Sequence, residues 1–183
     1  MDRNPLQAVM DAASTAAHWH AEQRRKGTAG EPYINHLLEV AAIVAEATGG
    51  DDPNLVIAAL LHDAIEDRGI TRAAISEKFG EDVASLVQEV SDDKSLPQAV
   101  RKRLQVEEAP RKSKRAKILK LADKISNVAA IGRDPPPDWS IERQRQYVQW
   151  GREVVAGLRD AAPEFAARFE AAAVEAERRI DGR

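Results

Sequence analysis

The sequence has 183 residues, with 30 acidic side chains, 27 basic side chains, four histidines and a formal net charge of −3. It has no cysteine, which excludes disulfide frameworks, thiolate metal sites and cysteine nucleophiles, so any metal needs His, Asp or Glu ligands. The small negative charge argues against a dedicated nucleic-acid-binding protein, which needs a surplus of Lys and Arg.

The chain is rich in helix-forming residues and only 4% aromatic, so we predict an all-α fold of roughly eight to ten helices. In the first half, helical spacing of apolar residues predicts helices over residues 5–26, 34–47, 53–68, 71–79 and 83–90. Asp52 before a proline and Thr71 are helix-start signals. Gly69 is the corresponding stop signal.

The second half continues after a polar loop at residues 91–95, with helices predicted over residues 97–110, 114–131, 140–160 and 163–180. Ser113 is the expected cap of the second of these helices, and Gly132 its expected end. The three prolines at 135–137 form a stiff connector. They do not mark a domain boundary, because the chain beyond them is too short to build its own core. We therefore expect one domain over residues 1–183.

The N-terminal residues are polar, and the longest apolar stretch is far shorter than the roughly 20 residues that span a bilayer. These features predict a soluble, cytoplasmic protein without a membrane partner. The sequence makes no prediction of oligomeric state, regulation or native metal.

Four polar side chains interrupt the apolar third helix. His62 and Glu66 are four positions apart, so they are expected on one helix face. The same spacing relates Asp63 to Asp67. Three carboxylates this close repel one another unless a cation or hydrogen-bond donors compensate, and a His with carboxylates suits manganese, zinc or iron(II).

Two remote residues, His36 and Asp123, lie in apolar surroundings and are candidate further ligands. Each has an ordinary alternative when taken alone: a satisfied histidine at a helix start, and a salt-bridge partner of a neighbouring Lys. The His62-Asp63 pair alone also arises by chance. The joint pattern of His36, the His-Asp pair and a distant Asp is much rarer.

With these residues the sequence resembles the HD superfamily of metal-dependent phosphohydrolases, and within it the (p)ppGpp hydrolases of RelA/SpoT type. Stand-alone small alarmone hydrolases, including the animal SpoT homologue, are the most similar group. The resemblance covers about residues 15–160, and it implies an HD-domain helical bundle on which the C-terminal helix packs. Supporting motifs are Arg25-Lys26, residues 31–36 and 59–63, Phe79-Gly80, residues 91–94, 101–107 and 120–124, and Asn127.

The resemblance implies that His36, His62, Asp63 and Asp123 hold one metal ion, most often Mn²⁺, although another divalent metal is an alternative. It also implies that the catalytic pair Glu66 and Asp67 acts on the attacking water. Substrate-binding residues carried over from the family are Arg25 and Lys26 on the guanine side, Asn127 at a ribose or phosphate, and Tyr147 closing the pocket. Because the substrate is a polyanion, Lys94 and Arg101 are further candidates.

The implied reaction removes the 3′-pyrophosphate of the stringent-response nucleotides ppGpp and pppGpp, giving GDP or GTP and pyrophosphate. Two alternatives stay open: an NADPH 2′-phosphatase or related nucleotide phosphohydrolase using the same site, and a nucleotide sensor without turnover. Ala129 stands where relatives commonly carry Arg, and Leu37 where Pro is usual, so the choice between ppGpp, pppGpp and NADPH is open. His18 and His20 receive no predicted role.

Overall fold

A computed structural model describes residues 4–183 and confirms the all-α prediction. In that range the chain forms ten α-helices, one short 3₁₀ helix and an isolated β-bridge between Arg24 and Pro32, but no strand. The helices are α1 (Pro5–Trp19), α2 (Ile34–Ala47), α3 (Pro53–Leu61), α4 (Ala64–Arg68), α5 (Arg72–Phe79), α6 (Glu81–Val90), α7 (Gln98–Glu108), the 3₁₀ helix (Ala109–Arg111), α8 (Lys114–Arg133), α9 (Ile141–Ala156) and α10 (Pro163–Asp181).

The predicted helix starts are confirmed by their caps. The side chains of Asp52, Thr71 and Ser113 each accept a hydrogen bond from the backbone N–H three residues later, at 3.0, 3.2 and 3.2 Å. Each bond satisfies one of the free N–H groups at a helix N-terminus. Gly69 ends α4 in the left-handed conformation, with a φ of 64°, as a helix-stop glycine does.

The prediction that the first helix extends to residue 26 is wrong, because α1 ends at Trp19. The next segment folds back on itself, and the N–H of Tyr33 donates to the carbonyl of Gln23 at 3.0 Å. Local helix propensity therefore yields to pairing across the loop. As a result, residues 20–33 form an irregular strap between α1 and α2.

The predicted third helix is interrupted at His62 and Asp63, where α3 ends and α4 begins. The ring Nδ1 of His62 lies 2.8 Å from the carbonyl oxygen of Ala59 and takes that acceptor from the helical backbone. Asp63 has φ −95° and ψ 0°, outside the regular helical region. The interruption turns both side chains toward α8 and α2.

Gly132 does not end α8, so its prediction as a stop signal is wrong. The helix runs one residue further, to Arg133, and Gly132 instead lies against α10: a Cβ at this position would lie 2.7 Å from the Cα of Ala176. Glycine here allows two helix backbones to approach closely. The predicted end of the next helix at residue 160 is also too late, since α9 ends at Ala156 and Gly157 packs against Pro110.

The long helix α8 packs against α2, α9 and α10, and the apolar side chains of α1, α2, α3, α6 and α8 to α10 form one buried cluster. The middle of α8 thereby faces both α2 and the junction of α3 with α4. No helix within residues 4–183 is both long and apolar enough to cross a bilayer.

Candidate functional site

The four predicted metal ligands meet where α2, the α3–α4 junction and α8 converge; we call them the His/Asp cluster (His36, His62, Asp63 and Asp123). The Nε2 atoms of His36 and His62 lie 3.4 and 3.7 Å from Oδ1 of Asp123. Oδ2 of Asp63 lies 3.1 Å from Nε2 of His62 and 3.7 Å from that of His36. Both histidines and Asp123 are buried.

Hydrogen bonds on the far side of each ring fix the histidine tautomers. Nδ1 of His62 faces the carbonyl oxygen of Ala59, which can only accept, so Nδ1 carries the proton. Nδ1 of His36 lies 2.9 Å from the hydroxyl of Ser126, which donates its own proton to Glu39 at 2.7 Å and therefore accepts from His36. In the neutral rings, both Nε2 lone pairs consequently point at the carboxylates.

With both rings neutral, the two carboxylates of the cluster outnumber the one cation that contacts it in the described part of the chain, the Lys124 ammonium at Oδ2 of Asp123. Nε2 of His62 is buried and has no hydrogen-bond partner, although two carboxylates flank it. Burial lowers the pKa of His62, but attraction by Asp63 and Asp123 outweighs burial and raises that pKa well above its usual value. An Nε2 proton or a cation must occupy the space between the rings and the carboxylates. The ligand atoms of His36, His62 and Asp123 lie within 4.8 Å of one another, which fits a divalent metal ion, and Oδ2 of Asp63 lies beside both rings.

Asp123 also accepts hydrogen bonds from two residues of its own helix, α8. The amide of Asn127 donates to its Oδ1 at 2.5 Å, and the ammonium of Lys124 to its Oδ2 at 3.1 Å. The amide oxygen of Asn127 accepts in turn from the guanidinium of Arg25 at 3.2 Å. Asn127, predicted as a substrate contact, thus links a basic residue to the cluster.

The predicted catalytic acids lie on α4, beside the cluster. Oε1 of Glu66 accepts from the backbone N–H of Asp92 at 2.7 Å, and burial, together with the nearby negative charges, raises the Glu66 pKa. Oδ2 of Asp67 accepts from Gln23 at 2.8 Å, and Oδ1 accepts from Lys94 at 3.0 Å. The ammonium of Lys94 also lies 3.7 Å from Glu66, so it neutralises part of both charges.

A cavity of about 510 Å³ opens over these residues. Asp63, Glu66 and Asp67 line one wall. Among the predicted substrate contacts, the cavity brings together Arg25, Lys26, Lys94, Asn127 and Tyr147. Arg101 is not among the lining residues, and its guanidinium donates to the carbonyl of Leu96 at 3.3 Å.

Lys102, a candidate from the basic run at 101–103, also lines the cavity, as do two cations that were not predicted, Arg24 and Arg143. The ammonium of Lys102 lies 5.4 Å from the ring centre of Tyr147, and the guanidinium of Arg143 stacks 4.5 Å over Trp139. Lys102 belongs to the basic run at 101–103, and Arg143 precedes Tyr147 by one helical turn. That spacing is the signal that could have identified Arg143.

Comparison with known proteins gives consistent matches. A family model described as HD domain matches residues 12–160. The Xenopus tropicalis protein named guanosine-3′,5′-bis(diphosphate) 3′-pyrophosphohydrolase MESH1 is 48% identical over 151 residues, covering 82% of this chain and 84% of that protein. The Homo sapiens protein of the same name is 47% identical over 150 residues, with the same coverage. A solved structure, described as a metazoan SpoT orthologue that hydrolyses ppGpp, superposes with a TM-score of 0.88 at 38% identity, covering 93% of this chain and 96% of that one.

Proposed function

The chain belongs to the HD-domain family, and we propose that it is a guanosine-3′,5′-bis(diphosphate) 3′-pyrophosphohydrolase. The enzyme removes the 3′-pyrophosphate of ppGpp and leaves GDP. One observation carries the proposal: Asp63 of the His/Asp cluster lines a cavity together with the acids Glu66 and Asp67 and with basic side chains. That cavity suits a polyanionic nucleotide, and nearly full-length relatives carry this name.

We assign the His/Asp cluster as the ligand set of one Mn²⁺ ion. The support for this assignment is the donor set, two imidazole nitrogens and a carboxylate oxygen within 4.8 Å of one another, with Oδ2 of Asp63 beside both rings; another divalent metal with the same preferences is the alternative. Held by these residues, a divalent ion would supply Lewis acidity for activating water and positive charge to offset that of phosphate oxygens.

Glu66 is assigned as the base that accepts the proton of the attacking water. Its Oε1 is fixed by the N–H of Asp92, which leaves Oε2 to take the proton. A raised pKa makes the carboxylate a stronger base than an exposed glutamate. Asp67, held on both oxygens by Gln23 and Lys94, is assigned to orienting that water.

The basic wall of the cavity is assigned to the substrate. Arg25 has a buried guanidinium nitrogen, Nη1, with no hydrogen-bond partner, and such a donor suits an anionic ligand. The rings of Trp139 and Trp150 lie 5.4 and 5.3 Å from that of Tyr147 and are tilted against it, and Trp139 and Tyr147 give the cavity an aromatic wall suited to a nucleotide base. Lys26, Lys94 and Asn127 complete the set, and Arg101 is left out because it does not line the cavity.

The test is a substrate panel with purified protein and Mn²⁺. We expect ppGpp and pppGpp to give GDP or GTP with pyrophosphate, and a chelator to stop turnover until Mn²⁺ is restored. NADPH stays the alternative substrate, and it would release orthophosphate instead. Metal-loaded, folded protein that turns over none of these nucleotides would contradict the proposal and favour the sensor alternative. The cytoplasmic location stays a prediction.

A further inference from the structure

His20 is buried just after the end of α1, with 2% of its surface exposed, although the sequence assigns it no role. Its Nδ1 lies 2.7 Å from the side-chain oxygen of Gln23. Its ring stacks on Tyr33, with ring centres 5.4 Å apart and planes inclined by 20°. The hydroxyl of Tyr33 donates to Asp63 at 2.7 Å. One imidazole therefore supports two neighbours of the candidate site.

His20, Gln23 and Asp67 form a series of hydrogen bonds, and the Asp67 carboxylate determines the direction of each bond. Asp67 is a carboxylate and can only accept, so the Gln23 group 2.8 Å away is the amide nitrogen. That choice turns the amide oxygen toward His20. Because an amide oxygen also only accepts, His20 carries its proton on Nδ1. Hydrogen bonds thus run in one sense, from His20 through Gln23 to Asp67.

We propose that His20 and Gln23 are positioning residues that hold the Asp67 carboxylate for the reaction. This role rests on the proposed function. Gln23 lies in the irregular strap, where its long side chain would otherwise sample several rotamers. The bond from His20 selects the one rotamer that reaches Asp67. Lys94 holds the opposite oxygen, so the carboxylate is fixed from two sides.

An ordinary buried histidine would give the same packing, so the test must separate the Nδ1 donor from the ring. In His20→Asn the amide nitrogen takes nearly the place of Nδ1 and keeps the donor, whereas His20→Leu removes it. Both variants lose the stack on Tyr33. We expect His20→Leu to lower kcat about 10-fold with little change in KM, and His20→Asn to recover most of that loss.

Gln23→Met keeps the length of the side chain and removes both hydrogen bonds, and we expect the same fall in kcat. The double variant His20→Leu/Gln23→Met should be no slower than Gln23→Met alone, because both residues act through one series of bonds. His18→Asn is the matched control, since His18 is exposed and bonds only the carbonyl of Ser14 on its own helix. Equal losses in His20→Asn and His20→Leu, or additive losses in the double variant, would overturn the proposal.

A measurement without substrate separates this proposal from the assigned function. In protein with ¹⁵N-labelled histidine, we expect His20 as the Nδ1–H tautomer, and Asp67→Ala should shift its ring signals while those of His18 stay in place. An Nε2–H tautomer of His20, or no response to Asp67→Ala, would overturn the proposed series of hydrogen bonds from His20 to Asp67, whatever the activity. If His20 is the Nδ1–H tautomer and responds to Asp67→Ala, but the wild-type protein hydrolyses none of the nucleotides, only the assigned function is contradicted.

Discussion

The two sides of α8 differ in chemistry, because one packs apolar atoms against a neighbouring helix and the other carries polar and charged side chains. Toward α10 the helix packs closely through apolar atoms at Gly132 and Ala176. Toward the cavity it presents the buried charge of Asp123. Within residues 4–183, four buried side-chain atoms lack a hydrogen-bond partner. Three belong to the site or its supports, namely Nε2 of His20, Nη1 of Arg25 and Nε2 of His62, and the fourth is Oε1 of Gln105 on α7, whose amide nitrogen donates to Asp92.

None of these four atoms belongs to α8, whose polar side chains Asp123 and Asn127 are hydrogen-bonded. Leaving a buried polar atom unpaired costs about 1–3 kcal/mol, and the cavity side of the molecule carries that cost. The α10 side has no such atom in the described range, and it also has ion pairs such as Arg152 with Glu170 at 2.9 Å. The seam, defined as the packing of Gly132 against Ala176, stabilises the helix that presents the site. Substitutions on the two sides should therefore separate activity from stability.

The largest expected effect is chemical. Glu66→Gln should lower kcat on ppGpp by about 10²–10⁴-fold, because the amide cannot accept the proton of the attacking water. The raised pKa of Glu66 means that folding disfavours its ionised form, so at neutral pH the amide should leave the thermal midpoint unchanged or slightly higher. Kinetics and thermal unfolding of the same preparation test both statements.

A Glu66→Gln protein that loses its fold together with its activity would contradict the separation of the two sides. Its content of bound Mn²⁺ should equal that of the wild type, because Glu66 is not in the His/Asp cluster.

The second effect is a loss of stability at the seam. Gly132→Ala should lower the free energy of unfolding by about 1–3 kcal/mol, because the new Cβ meets the Cα of Ala176 at 2.7 Å and the helices must separate. Ala176→Gly in the same chain should recover only part of the loss, since it relieves the clash with the Cβ atom at 2.9 Å and leaves the clash with the backbone. Urea unfolding measures both. Activity per folded molecule should change little, and a loss of activity without a loss of stability would break the comparison.

The third effect concerns metal affinity. Ser126→Ala removes the acceptor for Nδ1 of His36, which frees the ring to rotate or change tautomer. We expect the affinity of the metal-free protein for Mn²⁺ to fall about 10-fold, measured by calorimetry. Glu39→Gln is the control, because its amide oxygen still accepts from Ser126 and its effect should be smaller. Equal affinities in wild type and Ser126→Ala would show that Ser126 does not orient the ring.

The smallest effect is a shift of pH dependence. Burial raises the pKa of Glu66, the N–H of Asp92 opposes the rise, and the charges of Asp92 and Asp63 add to it. The base acts when ionised, so kcat/KM falls as pH drops through that pKa. Asp92→Asn keeps the N–H and removes one charge, which should move the acid limb to lower pH. The profile is measured with saturating Mn²⁺, and an unmoved limb would show that another group sets it.

Much of the fold could be predicted from short-range signals. The caps at Asp52, Thr71 and Ser113 are local, since each side chain reaches a backbone N–H three residues away, and these starts are confirmed. The helix ends that are wrong depend on interactions made far along the chain. The approach of α10 to Gly132 and the pairing of residues 23 and 33 carry no mark in local composition.

The same division applies to the site. The residue types and spacing in the chain indicate the His/Asp cluster, and the structure brings its four members together. The sequence does not indicate that His62 and Asp63 stand in a break between helices, because the apolar pattern continues through them. Nor does it indicate the supports, since Gln23 and Ser126 acquire their roles only from partners 44 and 90 positions away.

The amide of Asn127 connects the candidate anion site with the candidate metal site. Its two ends bind Asp123 and Arg25, so neither partner can move without turning the amide away from the other. An anion that draws Arg25 toward itself therefore changes the hydrogen bond that Asn127 donates to Asp123, a candidate metal ligand. Thermodynamic linkage makes this influence mutual: by whatever factor the anion alters the affinity for the cation, the cation alters the affinity for the anion.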